Sequence, residues 1–264
     1  MRVVKRVKSP KNSLKDLVSA FDELVFRNVK EQYPHNWGDA CIQSLFQSIS
    51  LLLRRKRIRF PGGVIRTYGA LYSLADEPEK KLSDIAVLCK INFHDGKSVE
   101  GATFLNVQLK DPDKNTFQGF RKDELRRMES IASHAQLLLC DYDCITGMAF
   151  TSIPESIVGY MPTPWEQWVP FTYAATAPVG LCNALGDKNT SLYKVSVPLS
   201  YQFCFRYLFG LDLEYRSIPL EVARGHRTDK GQAKYLMLLS VAHGGSALQL
   251  DFDFDSERYT ALKA

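Results

Sequence analysis

Asp84-Ile-Ala-Val-Leu-Cys-Lys-Ile-Asn-Phe93 is followed by His94-Asp-Gly96 and then by Ala102-Thr-Phe-Leu-Asn-Val-Gln-Leu-Lys110. The first run is rich in β-formers and stops at an Asp-Gly turn signal, which predicts a strand that doubles back on itself. The second run alternates cleanly. Thr103, Leu105, Val107 and Leu109 fall on one face, and Phe104, Asn106, Gln108 and Lys110 on the other. With a loop at roughly residues 93–101, antiparallel pairing sets Asp84 opposite Lys110, with Gln108 two residues away on the same face. A one-residue slip would separate these groups, so the cluster depends on the register.

Two helices precede this hairpin. Ser13-Leu-Lys-Asp16 has the form of a capping box, and Leu14, Leu17, Val18, Phe21, Leu24 and Val25 follow at helical spacing. A second stripe (Ile42, Leu45, Phe46, Ile49, Leu52, Leu53) begins after Trp37-Gly38. Beyond the Pro61-Gly-Gly63 turn, Val64 to Leu71 predicts a short strand. Downstream, Lys122 to Ser133 predicts a third helix, buried through Leu125, Met128 and Ile131, and Gln136 to Tyr142 a buried strand. The order is α/β, with a mixed β-sheet flanked by helices. We divide the chain into a core, residues 1–145, and an irregular α+β C-terminal extension, residues 146–264, packed on it as a second unit or as part of one domain. In that extension, residues 151–180 are rich in proline and aromatics, Leu199 to Leu208 forms a helix stopped by Gly210, and Lys234–Ala242 with Ala247–Phe254 forms a closing hairpin.

Composition narrows the class. The 264 residues are 45% hydrophobic and 24% charged, which excludes wholesale disorder. No apolar run approaches the ~18 residues of a membrane span. The basic start Met1 to Lys8 lacks the apolar segment of a secretory signal. The expectation is a cytoplasmic protein with six reduced cysteines; Cys140 and Cys144 lack the second ligand pair that a structural zinc requires. The net charge of +5 is unevenly spread, because residues 1–66 hold 14 Lys/Arg and 5 Asp/Glu. The densest cluster is Arg54, Arg55, Lys56 and Arg57, with Arg59. It has two readings: a phosphate-contacting patch, or a basic helix C-terminus stabilised by the dipole.

A carboxylate, an amide oxygen and an ammonium at one end of a sheet suit metal-assisted phosphodiester hydrolysis. The oxygens hold a hard divalent cation while the lysine positions the attacking water. The plainer reading is a strand begun by an Asp cap and ended by a solvated Lys. The order Ser83-Asp84-Ile85, hairpin, Asn106-Val-Gln-Leu-Lys110 resembles the core of the PD-(D/E)XK, or restriction-endonuclease-like, superfamily in its D…QxK variant. That core is a helix, three strands, a helix and a strand. The metal-binding acid begins the second strand and the (D/E/Q)xK tripeptide lies on the third. Residues 122–142 are similar to the helix and strand that follow.

The resemblance covers about residues 36–142. It implies a Mg²⁺- or Mn²⁺-dependent deoxyribonuclease in which Asp84 and Gln108 ligate the metal and Lys110 orients the water. Asp39 is the best match to the acid that many members supply from the first core helix, and it equally suits a helix N-terminus. Arg54, Arg55, Lys56, Arg57, Arg126 and Arg127 would contact the DNA backbone. Small stand-alone members are often parts of multi-protein DNA-processing or anti-phage systems, so a companion motor or sensor is implied as well. The alternative is a catalytically inactive nucleic-acid- or partner-binding subunit that retains the fold, which the neutral Gln108 motivates.

The remaining polar features are plainer. The five histidines are scattered, and Arg224 to Gly231 is a polar surface loop without a phosphate-loop pattern. Asp251, Asp253 and Asp255 alternate with Leu250, Phe252 and Phe254, as on the wet face of a strand. The Trp165–Tyr173 aromatics suit core packing ahead of a partner groove.

Overall fold

The computed structural model describes residues 13–117, 121–146, 148, 172–186 and 189–262. Most of the proline- and aromatic-rich stretch, residues 151–171 with Trp165 and Trp168, lies outside them.

Helix α1 (Leu14–Gln32) starts with the capping box read from Ser13. The Ser13 hydroxyl accepts the Asp16 N–H at 3.2 Å, and the Asp16 carboxylate accepts the Ser13 N–H at 2.8 Å. Helix α2 (Asp39–Leu53) buries Ile42, Leu45, Phe46, Ile49 and Leu53. It sits close on the sheet because Gly69 lies beneath it; a Cβ there would stand 2.7 Å from the Ser50 carbonyl oxygen. The Thr67 hydroxyl donates to the Leu53 carbonyl at 2.8 Å and ties the last turn down.

Arg55 then adopts a left-handed conformation (φ 55°) that ends the helical path without a glycine. The basic run therefore continues into an edge strand, β1 (Lys56–Phe60), and only its first residues follow the helix. Next come β2 (Gly63–Leu74), β3 (Lys81–Asn92), β4 (Ser98–Leu109), α3 (Lys122–Ile131), β5 (Gln136–Ile145), β6 (Thr172–Pro178) and α4 (Val179–Leu185). The chain goes on through β7 (Val197–Pro198), a helical stretch at residues 199–209, α5 (Ser217–Ala223), β8 (Gln232–His243) and β9 (Tyr259–Ala261).

The strands form one mixed sheet in the order β1-β2-β8-β3-β4-β5-β6-β7, with β9 also on β2. Strands β3 and β4 are the antiparallel hairpin; α3 carries the chain over to β5, which runs parallel to β4. Strand β8 lies between β2 and β3, antiparallel to the first and parallel to the second. The same sheet thus runs through both halves of the chain, and a late segment supplies a central strand.

Helices cover both faces, so β3 is buried along nearly its whole length. One face carries Ile85, Val87, Leu105 and Val107 against α1, α2 and residues 199–208. The other carries Ala86, Leu88, Phe104 and Leu139 against α3, α4 and α5. The predicted hairpin partner Ala247–Phe254 is not a strand. Its alternation has a different cause: Phe252 and Phe254 pack onto the second core, while the Asp251 and Asp253 side chains are 81% and 71% exposed. The described chain has no helix long and apolar enough to cross a membrane. All six cysteines are free thiols, five of them buried.

Candidate functional site

The polar residues of interest gather where β3 and β8 begin and where β4 and β5 end. Carboxyl ends of strands are where open α/β sheets usually bind ligands. The hairpin turn is tighter than the sequence suggests. Asn92 already pairs with Ser98, and the Phe93 N–H donates to the Lys97 carbonyl at 2.8 Å. Continuing the register past Ile85↔Leu105 sets Asp84 opposite Asn106, not opposite Lys110. Asn106, Gln108 and Lys110 alternate together along β4, and Asp84 lies just past the last paired position, where its carboxylate accepts the Val107 N–H.

Asp84 is buried and both of its oxygens are engaged. One accepts the Val107 N–H at 2.6 Å, and the other pairs with the Lys81 ammonium at 2.5 Å. The Lys81 side chain is 48% exposed and can swing into solvent. Gln108, on the adjacent strand, donates its amide to the Asn106 side chain. Its own Oε1 is buried with no hydrogen-bond partner among the described residues, an acceptor that water or a ligand can complete.

Lys110 does not join this pair. Its Nζ lies 2.9 Å from Asp141 Oδ2 and 5.0 Å from the centre of the Tyr142 ring. The same Asp141 oxygen accepts the Tyr193 hydroxyl at 2.6 Å, and Oδ1 accepts the Asp143 N–H at 2.9 Å. Burial first, then the hydrogen bond to Asp141, pushes the Tyr193 phenol well above its usual range, so it remains a donor. The expected water-orienting role of Lys110 thus meets a fully committed ammonium. Sequence reading passed over Asp141 and Tyr193. The available signal for the first was a charge at the end of an otherwise apolar strand; Tyr193 gave none.

Asp39 goes elsewhere too. Its carboxylate binds Lys234 Nζ at 2.8 Å, and Lys234 also reaches Glu77 at 3.3 Å. That hydrogen bond to Asp39 raises the Lys234 ammonium to about 12. Lys234 lies level with Asp84 on β8, since Ala233 pairs with Ser83 and Tyr235 with Ile85. Asp39 therefore stands behind a lysine at the rim of the site. Gln43, one turn along α2, accepts the Tyr235 hydroxyl at 3.5 Å.

Arg127 donates to the Lys81 carbonyl at 2.5 Å and fastens α3 to the start of β3; Arg126 is exposed beside it. Arg54, Arg55, Lys56 and Arg57 follow the far end of α2 from Asp39, at the opposite end of the sheet. They do not flank the Asp84 site.

No family model, curated protein or solved structure matches the chain. The site must therefore be judged on its own chemistry. Among the described residues no three His, Cys, Asp or Glu side chains gather in a way that could hold a metal ion. The oxygens that could serve are Asp84 Oδ1, once Lys81 leaves it, and the orphaned Gln108 amide, both of the hard type that Mg²⁺ and Mn²⁺ take. Two protein oxygens could hold a divalent cation only if water filled its other positions.

Proposed function

We propose that the chain is a metal-dependent nuclease of restriction-endonuclease-like architecture that hydrolyses phosphodiester bonds in DNA. The observation that carries this reading is the unmet Gln108 Oε1 next to Val107, whose backbone N–H the Asp84 carboxylate accepts. The succession α2, β2, β3, β4, α3, β5 supports it, with the acid near the start of β3 and the glutamine at the end of β4. Strand β8 separates β2 from β3, so on this reading the core carries an inserted central strand.

Asp84 and Gln108 would hold Mg²⁺ or Mn²⁺, which supplies a Lewis acid and a more acidic bound water. Lys81, released from Asp84, places an ammonium at the site mouth for a phosphate oxygen. Lys110 and Asp141 act as positioning residues that fasten the end of β4 to β5. Buried Asp84 excludes bulk water from its own carboxylate. Selection of a target sequence falls to a companion protein.

The test is Mg²⁺- or Mn²⁺-dependent cleavage of duplex and single-stranded DNA by the parent, Asp84→Ala and Gln108→Leu, alongside Mn²⁺ titration by electron paramagnetic resonance. The parent should cut and bind Mn²⁺, and both variants should lose the two properties together. Mn²⁺ affinity equal in parent and Asp84→Ala, with no cutting by the parent, would remove the reading. The locked Lys110–Asp141–Tyr193 group favours one second reading: a binding subunit that keeps the fold and performs no hydrolysis. In that case nucleic-acid binding persists in both variants and no form cuts.

A further inference from the structure

Six cations crowd one corner of the sheet. Arg54 and Arg55 follow α2, Lys56, Arg57 and Arg59 lie on β1, and Arg66 lies on β2. Arg57 and Arg66 are direct cross-strand partners, a destabilising like-charge opposition that the bonds from Arg66 to the Gly245 and Ser246 carbonyls relieve only in part. Among the described residues, no carboxylate stands within ion-pair distance of any of the six. Asp16 borders the crevice beside Lys56 and Arg57, but its carboxylate caps α1 through Ser13. Elsewhere among the described residues, unpaired cations such as Lys15, Lys122, Arg126 and Lys194 are scattered singly, and others are paired: Lys90 with Glu100, Lys110 with Asp141, Arg206 with Asp212, and Arg224 with Glu100.

Cations on an edge strand also discourage sheet-to-sheet aggregation. That accounts for a charge or two on β1, but not for Arg54, Arg55 and Arg66 outside it. Five of the six are arginine, whose planar fork grips phosphate oxygens in pairs.

The corner is remote from the Asp84 site. Ala242 of β8 pairs with Arg66 on one side and with Asn92 on the other, so Arg66 lies level with Asn92. Asn92 is eight residues along β3 from Asp84, about 26 Å at ~3.3 Å per residue.

We propose that this corner is a second nucleic-acid contact, a phosphate-backbone surface separate from the Asp84 site. It rests on the nucleic-acid reading given above and adds a footprint. A strand reaches both places only when it is longer than about 8 nucleotides, at ~3.4 Å per phosphate.

The experiment is fluorescence anisotropy in EDTA with 6-, 12- and 20-nucleotide DNA, single-stranded and duplex, over a salt series. The proteins are the parent, a quadruple variant (Arg54→Gln, Arg55→Asn, Arg57→Gln, Arg59→Gln) and the same four positions changed to Lys. Asn is used at 55 because it tolerates the left-handed backbone. For the quadruple variant on 20-mers, the slope of log affinity against log salt should flatten by about 3 to 4, with affinity at least 30-fold weaker in 0.1 M salt. The lysine version should bind nearly as the parent does, which excludes misfolding. On 6-mers the parent and the quadruple variant should differ by less than threefold.

Parental affinity and slope in the quadruple variant would overturn the proposal. So would an equal loss on 6-mers and 20-mers, or tighter binding of the parent to phosphatidylserine vesicles or polyglutamate than to DNA at the same salt. Weakened binding in the quadruple variant with no cleavage by any form would leave the corner standing and remove hydrolysis. Cleavage by the parent with unchanged binding in the variant would do the reverse.

Discussion

Replacing Asp141 by Asn should destabilise the protein far more than its one-atom change suggests. The Lys110 and Asp141 side chains are 8% and 3% exposed, so the substitution strands an ammonium in a site that water barely reaches. Removing one member of a buried pair typically costs about 3–5 kcal/mol. Asparagine keeps the shape of the side chain and an oxygen for the Tyr193 hydroxyl, so no cavity contributes. For a chain of this size that loss corresponds to a fall in Tm of about 6–20 °C.

The measurement is urea and thermal unfolding of the parent, Asp141→Asn, Lys110→Met and the double variant. The double variant buries no unpaired charge and should recover to within about 1 kcal/mol of the parent, giving a coupling energy above about 2 kcal/mol. If Asp141→Asn alone stays within 1 kcal/mol of the parent, Lys110 finds solvent. The reasoning that removes it from catalysis then fails, and Lys110 returns as the active lysine.

Three further outcomes are expected. Gly69→Ala drives a Cβ into the Ser50 carbonyl at 2.7 Å and should cost about 1–3 kcal/mol in chemical denaturation; an unchanged midpoint would mean that α2 rides freely on β2. Tyr193→Phe removes a hydrogen bond to a charged group and should cost about 1.5–3 kcal/mol, with Asp141→Asn/Tyr193→Phe less than additive. Burial raises the Asp22 carboxyl from 3.8 to about 7. The folded chain then holds a proton that the unfolded chain releases above its lower pKa, so stability should fall as pH rises from 4 to 7. Asp22→Asn should flatten that profile, leaving stability near the parent's at pH 4 and higher at pH 8; parallel Tm curves would refute the assignment.

The parts of the fold legible in the sequence are those with a local cause. The capping box at Ser13, the apolar stripes of α1 and α2, and the alternation of β4 are each set within a dozen residues. The register of the hairpin was not legible, because the turn residues His94-Asp-Gly96 mark a reversal without fixing how many neighbours remain unpaired. The common face of Asn106, Gln108 and Lys110 was legible even so, since it is set by alternation within β4 alone. Lys110 finds its counter-charge on β5, 31 residues away, and Lys234 finds Asp39 195 residues away; no spacing rule reports such meetings. One of the two readings of the basic run set it at a helix C-terminus. It enters a strand because Arg55 takes a conformation that residues other than glycine seldom adopt. At 247–254, period two came from packing one side of an extended coil, which a pattern of hydrophobicity does not distinguish from a strand.

The position of β8 also bears on how the chain is made. During synthesis β2 and β3 leave the ribosome long before residues 232–243, and each must wait with one bonding edge unfilled. Direct closure of β2 onto β3 would leave β8 no slot and trap a shortened sheet. The last quarter of the protein thus completes the middle of its sheet, which makes assembly strongly non-local and slow. A chain that stops before Gln232 lacks the strand that joins its two halves, and it presents two long unpaired edges to its neighbours.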